Sequence, residues 1–426
     1  MRLRIFSSIR FSLAAASVIS TAFAFPLACQ AQLKEGDCVA ICGDSITEQK
    51  LYSLYMADYL LMCQPEPKLE AVQFGWSGET SWGFLPRMKA DVLPYKPTVA
   101  TTCYGMNDGG YAPLSPEREK NYRDSMNAIV KTFKDNGVRF IVVGTPGAVD
   151  TKTYARPNSD AATYNKTLSQ LGAIGQEIAK QNGVAFADVH SAMLEVMAKA
   201  KAKYGEKYHV AGNDGVHPSP NGHLVMAYAF LKALGCSGEI GTITYDAKSH
   251  KAEATSGHKV LSSDAGKISV ESTKYPFCFS GSPEKPESTA GVIEFFPFNQ
   301  DLNRFLLVVK NAPSQGMKVT WGPTSKTFTA DQLAQGISLA AEFLNNPFSE
   351  PFKVVEKSIA AQQAYETLSN KNYLHSIIEY RKLAPEQEEF FKLLTDKVVQ
   401  KAKGLQAAST AAVKPVQHSI SLEAIN

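Results

Sequence analysis

The residues best placed for chemistry in this chain are a serine, a histidine and an aspartate. Ser45 follows the apolar run Val39-Ala40-Ile41-Cys42, which breaks into Gly43-Asp44. A helix is expected from about Gln49, so Ser45 falls at a strand–turn–helix junction. Near a helix N-terminus the backbone N–H groups are unpaired and the dipole favours developing negative charge. A serine there is either a nucleophile or a plain helix cap. A hydroxyl attacks poorly near neutral pH unless a base lies within hydrogen-bond reach and a third group orients that base. Asp214 and His217 are three residues apart, so in a turn the carboxylate reaches one imidazole nitrogen while the other faces Ser45. The roles that follow are Ser45 as nucleophile, His217 as general base and then acid, and Asp214 as orienting carboxylate. The tetrahedral intermediate also needs donors aimed at its oxyanion. Candidates are the backbone N–H groups of Ser45 and Gly78 and the side-chain amide of Asn107. Gly78 lets the backbone approach closely, and an amide donates without titrating.

The positioning elements alternate. Strands are expected at 37–43, 69–74, 98–104, 138–144 and 184–189, with helices at 49–63, 82–93, 115–136, 161–182, 191–204 and 220–234. Continuous apolar strands between amphipathic helices indicate a parallel sheet covered on both faces. In such sheets chemistry gathers outside the carboxyl ends of the strands. Those ends deliver Asp44-Ser45, then Gly75-Trp76-Ser77-Gly78-Glu79, then Gly105-Met106-Asn107-Asp108. Asn213-Asp214-Gly215-Val216-His217-Pro218 follows the fifth strand and a helix.

Gly43-Asp44-Ser45, Gly78, Gly105-x-Asn107-Asp108 and Asp214-x-x-His217-Pro218 resemble, in order and spacing, the four signature blocks of the SGNH hydrolases, also called the GDSL esterase/lipase superfamily. The resemblance covers roughly residues 37–235. It implies a flavodoxin-like three-layer α/β/α sandwich, ester hydrolysis through an acyl-enzyme, and the roles given above to Ser45, Gly78, Asn107, Asp214 and His217. One departure is visible: Gln73 stands where the second block usually has Asn, which puts a supporting hydrogen bond in question. Asp44 and Glu48 are read as support for the serine turn, Asp108 as structural, and His223 as part of a packing or solvated helix face. Trp76, Trp82, Tyr104 and Tyr111 flank the expected mouth and are candidate sugar-stacking residues.

Beyond residue 235 the pattern changes. Residues 236–340 read as a small β-rich domain, 341–406 as helices, and 407–426 as a disordered Ala/Ser/Thr-rich tail. Residues 1–31 read as a signal peptide, with Arg2, Arg4 and Arg10 ahead of an apolar stretch and cleavage near 24 or 31. Lipid anchoring through Cys29 is the lesser option. The destination is then periplasmic or extracellular, with no transmembrane segment. Seven cysteines show no staple or zinc spacing. The formal charge of +3 vanishes once the three leader arginines are removed, so nothing favours nucleic acid as a partner. No metal or cofactor is required by the chemistry.

The resulting expectation is an exported serine esterase that deacetylates or deacylates a carbohydrate, its substrate a small-molecule or polysaccharide ester. The alternatives are a lipid esterase or lysophospholipase, with Trp76, Phe84 and Met106 near an acyl channel, and a non-catalytic carbohydrate-binding envelope protein.

Overall fold

The computed structural model describes residues 33–65 and 68–425. The expected leader and Cys29 lie outside them. The first apolar run forms strand β1 (Cys38–Gly43), followed by a single-turn helix α1 (Ser45–Glu48) and by α2 (Tyr52–Asp58), which continues into a π-helical turn to Cys63. Then come β2 (Glu70–Gly75), α3 (Ser81–Arg87), β3 (Val99–Cys103), α4 (Pro116–Asp135), β4 (Phe140–Gly144), α5 (Ala161–Asn182), β5 (Ala185–Ala187), α6 (Val189–Tyr204) and α7 (Pro220–Ala233). The helix starts follow the capping residues. Ser115 and Asp160 each accept the backbone N–H of the third residue of their helices, and Gly183 at φ 61° ends α5.

The five strands are parallel, in the order β2-β1-β3-β4-β5. That is the flavodoxin-like order, with its crevice at the β1/β3 switch point. Alternate residues of β1 feed two cores. Val39 and Ile41 pack with α2, α6 and α7, whereas Ala40 and Cys42 pack with α3, α4 and the second half of α5. The three-layer α/β/α sandwich is therefore present.

The remainder adds two further sheets and a helical layer. Its strands are β6 (Glu239–Asp246), β7 (Lys251–Ala254), β8 (His258–Asp264) and β9 (Lys267–Ser272), then, after α8 (Phe298–Leu302), β10 (Arg304–Lys310), β11 (Met317–Trp321) and β12 (Thr324–Phe328). Short helices α9 (Ala330–Gln335) and α10 (Leu339–Glu342) flank β13 (Ile337–Ser338). The C-terminal part holds α11 (Ser349–Ser369), a π-helical turn (Asn370–Leu374), α12 (His375–Leu383), α13 (Glu388–Ala412) and β14 (Val416–Ala424). One sheet runs β13-β10-β6-β7 and the other β12-β11-β14-β9-β8.

The tail is thus not disordered. Residues 407–412 finish α13, where small side chains let it approach α11, and Ser409 bonds to Gln362 and Ser358. β14 lies at the centre of its sheet, between β11 and β9. Its alternate residues Val416, His418, Ile420 and Leu422 are buried. Along α13 Phe391 is buried, while Phe390 and Leu393 are more than half exposed.

Helix α11 covers the outer edge of the parallel sheet. On β2 the Gln73 N–H donates to Glu366 Oε2 and the Ala71 carbonyl accepts from Gln362 Nε2. Side chains of a distant helix thereby satisfy an edge that would otherwise be free to pair. Gln73 itself suits this edge. Its Oε1 accepts from Gly75 N, and its amide reaches the Thr367 hydroxyl on α11.

Candidate active site

Asp44, not Ser45, caps α1. Its Oδ1 accepts from Ile46 N at 3.0 Å, which frees the Ser45 hydroxyl from the capping role. Gly43 is demanded by packing, since a Cβ there would lie 2.1 Å from Thr47 Oγ1. Burial pushes Asp44 up to about 7, with its bond from Ile46 opposing.

Ser45 Oγ lies 2.9 Å from His217 Nε2, and His217 Nδ1 lies 2.7 Å from Asp214 Oδ2. The carboxylate on Nδ1 fixes the proton there and leaves Nε2 free to accept from the serine. The other oxygen of Asp214 accepts the backbone N–H groups of Val216 and His217, both at 2.9 Å. Burial acts against ionisation of Asp214, but the bonds from His217 and Val216 outweigh it and hold the carboxyl below its usual range. Two left-handed glycines shape this loop. A Cβ on Gly212 (φ 79°) would meet the His217 carbonyl at 1.7 Å, and one on Gly215 (φ 74°) would meet Tyr154 at 2.4 Å. The line Ser45–His217–Asp214 is an activated-nucleophile arrangement.

The other two loops are tied to each other. Asn107 Nδ2 donates to the carbonyl of Glu79, next to Gly78, and Asn107 Oδ1 accepts from the Tyr111 hydroxyl. Tyr111 therefore orients the amide. Gly78 has φ 74°, and a Cβ there would meet nothing within 4 Å, so the glycine serves backbone conformation in an open loop. Glu79 is clamped by Arg87 through both carboxylate oxygens, at 2.5 and 2.6 Å, and by the Tyr104 hydroxyl. Asp108 is buried and accepts from Ser81 and Gly105, which makes it a loop brace. Desolvation raises it to about 6 against those bonds.

The cleft over Ser45 has a volume of about 670 Å³ and is lined by Glu48, Gln49, Lys50, Ser77, Gly212, Asn213, Asp214, His217 and Ser219. Every wall residue is polar or glycine. Sequence reasoning passed over Gln49, Lys50, Asn213 and Ser219, whose types have many structural uses. His223 proves fully buried: Tyr52 N donates to its Nδ1, its Nε2 meets Gln49 Oε1, and burial drives its pKa down to about 3.

The aromatic candidates do not form a sugar platform. Tyr104 is fully buried, stacked on Phe84 and bonded to Glu79. Trp76 is engaged by Arg87, Lys371 and His375 at 5.1, 4.8 and 4.8 Å between centres. Tyr111 stacks on Tyr164 and serves Asn107. Trp82 is half-buried and outside the cleft wall. Phe84 and Met106 belong to the cores, so they line no acyl channel.

Residues 41–225 match the model of the GDSL-like lipase/acylhydrolase family. That stretch places the hydrolase domain in the SGNH hydrolase superfamily. As an SGNH hydrolase it is a serine carboxylic ester hydrolase. An acetylxylan esterase of Geobacillus stearothermophilus is 26% identical over 214 residues, which cover 47% of this chain and 91% of that one. A solved structure described as a gut microbial diltiazem-metabolizing enzyme is 23% identical, with a TM-score of 0.71 over 93% of this chain and 100% of its own. That likeness spans nearly the whole SGNH hydrolase chain, so its fold beyond residue 235 recurs in another protein.

Proposed function

We propose that this SGNH hydrolase removes acetyl or other short acyl groups from a carbohydrate. The observation that carries the reading is the hydrogen-bonded line Ser45–His217–Asp214 opening into a cleft walled only by polar residues and glycine. Such walls suit a hydroxyl-rich alcohol portion and a small acyl group, whereas a long acyl chain needs an apolar channel. The similarity to an acetylxylan esterase points the same way.

In this reading Ser45 Oγ attacks the ester carbonyl while His217 Nε2 takes its proton. The oxyanion is held by the N–H groups of Ser45 and Gly78 and by the Asn107 amide. His217 returns the proton to the departing sugar oxygen, leaving an acyl-serine. Water, deprotonated by His217, then attacks the acyl carbon, and the carboxylic acid leaves as Ser45 regains its proton.

The test is turnover of nitrophenyl acetate, nitrophenyl octanoate and acetylated xylo-oligosaccharide by the mature chain and by Ser45→Ala. Acetate should be preferred over octanoate, acetate should be released from the oligosaccharide, and the variant should lose about 10⁴-fold or more in kcat. Octanoate preference would move the substrate to lipid. Full activity in the variant, or none in the native chain, would remove the catalytic roles and favour a binding protein. Export is part of the same proposal, and mature protein recovered outside the cytoplasm should begin near residue 25 or 32.

A further inference from the structure

We propose that Lys371, from the C-terminal helical region, is a positioning residue for the hydrolysis, acting through Glu48 on the loop that carries Gly78. The inference rests on the reading above, in which Gly78 N–H is an oxyanion donor.

Glu48 ends the helical turn that Ser45 begins. Its Oε2 accepts both the backbone N–H of Ser77, at 2.6 Å, and the Ser77 hydroxyl, at 2.5 Å. Its Oε1 lies 2.5 Å from Lys371 Nζ. One carboxylate thus joins the nucleophile turn, the residue before Gly78, and a lysine 323 positions away. Ser77 and Gly78 are exposed, and no side chain packs where a Gly78 Cβ would sit. Ser77 is therefore held by the Glu48 bonds rather than by burial, between a Trp76 and a Glu79 that have other partners. The Lys371 and Glu48 side chains are only 26% and 19% exposed, so this pair escapes much of the screening that makes surface pairs weak. Burial opposes ionisation of Glu48, but the bonds from Lys371 and Ser77 win and lower its pKa.

A second peg comes from the same segment. The Lys371 ammonium sits 4.8 Å from the Trp76 ring centre, and His375 lies equally close, while Arg87 of the hydrolase fold approaches at 5.1 Å. Trp76 directly precedes Ser77. Lys371 lies in the π-helical turn Asn370–Leu374 between α11 and α12. Such an insertion rotates the following side chains relative to the helix before it, and π turns of this kind concentrate at functional positions.

The experiment compares full-length native protein with Lys371→Met, Lys371→Arg, Glu48→Gln, the Lys371→Met/Glu48→Gln double variant and Ser45→Ala on nitrophenyl acetate, with Tm for each. Misplacing a donor by about 1 Å costs up to about 100-fold, so Lys371→Met should lower kcat by about 10- to 100-fold with KM within about threefold. Lys371→Arg should recover to within about threefold of native. The double variant should be no worse than the poorer single variant, the sign of a shared path. Native kcat in Lys371→Met with an inactive Ser45→Ala would overturn this inference alone. So would equal losses in the Met and Arg variants accompanied by a lowered Tm, which would mark helix docking only. Activity retained in Ser45→Ala would overturn the underlying reading as well.

Discussion

At the scale of single residues, the site works by assigning each polar group one task. Asp44 takes the helix cap, so Ser45 Oγ is left for His217. Asp214 spends one oxygen on the loop backbone and the other on the imidazole. Tyr111 spends its hydroxyl on Asn107 Oδ1, which turns the amide nitrogen toward Glu79 O and leaves its second hydrogen for a ligand. If that hydrogen meets the oxyanion, Asn107→Ala should reduce kcat by about 10²- to 10³-fold with little change in KM. Tyr111→Phe removes the orienting bond but keeps the amide, so its loss should stay within about tenfold. Steady-state kinetics of both variants checks this order; a larger effect from Tyr111→Phe would assign the weight to the tyrosine instead.

At the scale of elements, the edge between β2 and α11 carries a buried acid. Glu366 accepts from Gln73 N and from Gln362, yet desolvation outweighs those bonds and raises its pKa to about 7. An acid raised on folding gives stability that is complete below its unfolded value, near 4.5, and lost as pH climbs through 7. Over that window the folded protein binds the extra proton, so the stability of folding falls as pH rises. The span corresponds to about 3 kcal/mol for this one group. Glu366→Gln keeps an acceptor for Gln73 N but does not titrate. Its urea-unfolding free energy, measured from pH 4.5 to 8.5, should fall less steeply than that of the native chain. Parallel curves would mean that Glu366 is charged throughout.

At the scale of the whole molecule, the last strand joins two strand pairs of the additions into one sheet. β14 separates the β11–β12 pair from the β8–β9 pair. Its His418 accepts from Trp321 Nε1 and bonds to Ser272, joining both neighbours. Ending the chain at Ala412 would expose two sheet edges and the core that Ile420 and Leu422 cover. The truncated chain should be insoluble or lose more than about 5 °C in Tm, read by thermal unfolding of whatever remains soluble. An unchanged Tm would show that the central strand is dispensable.

The parallel sheet and the hydrogen-bonded line Ser45–His217–Asp214 were legible because their signals are local. Apolar runs alternate with amphipathic stretches, and Asp214 and His217 meet within one turn. Ser45 arrives at a strand end, where such sheets place their chemistry. The period-two burial of β14 was also present in the sequence, but the small-residue run before it masked the strand. Other features had no local signal. The flanks of Trp76 and Tyr104 look the same whether an aromatic ring faces solvent or core; only packing against Phe84, Arg87 and Lys371 decided that. The bond between Glu48 and Lys371 spans most of the chain. Spacing within a turn fixes short-range geometry through backbone stereochemistry, whereas long-range contacts depend on how whole layers dock. The sequence by itself therefore determined the hydrolase fold and singled out Ser45, His217 and Asp214 as candidates, and only the tertiary structure decided what holds their loops in place.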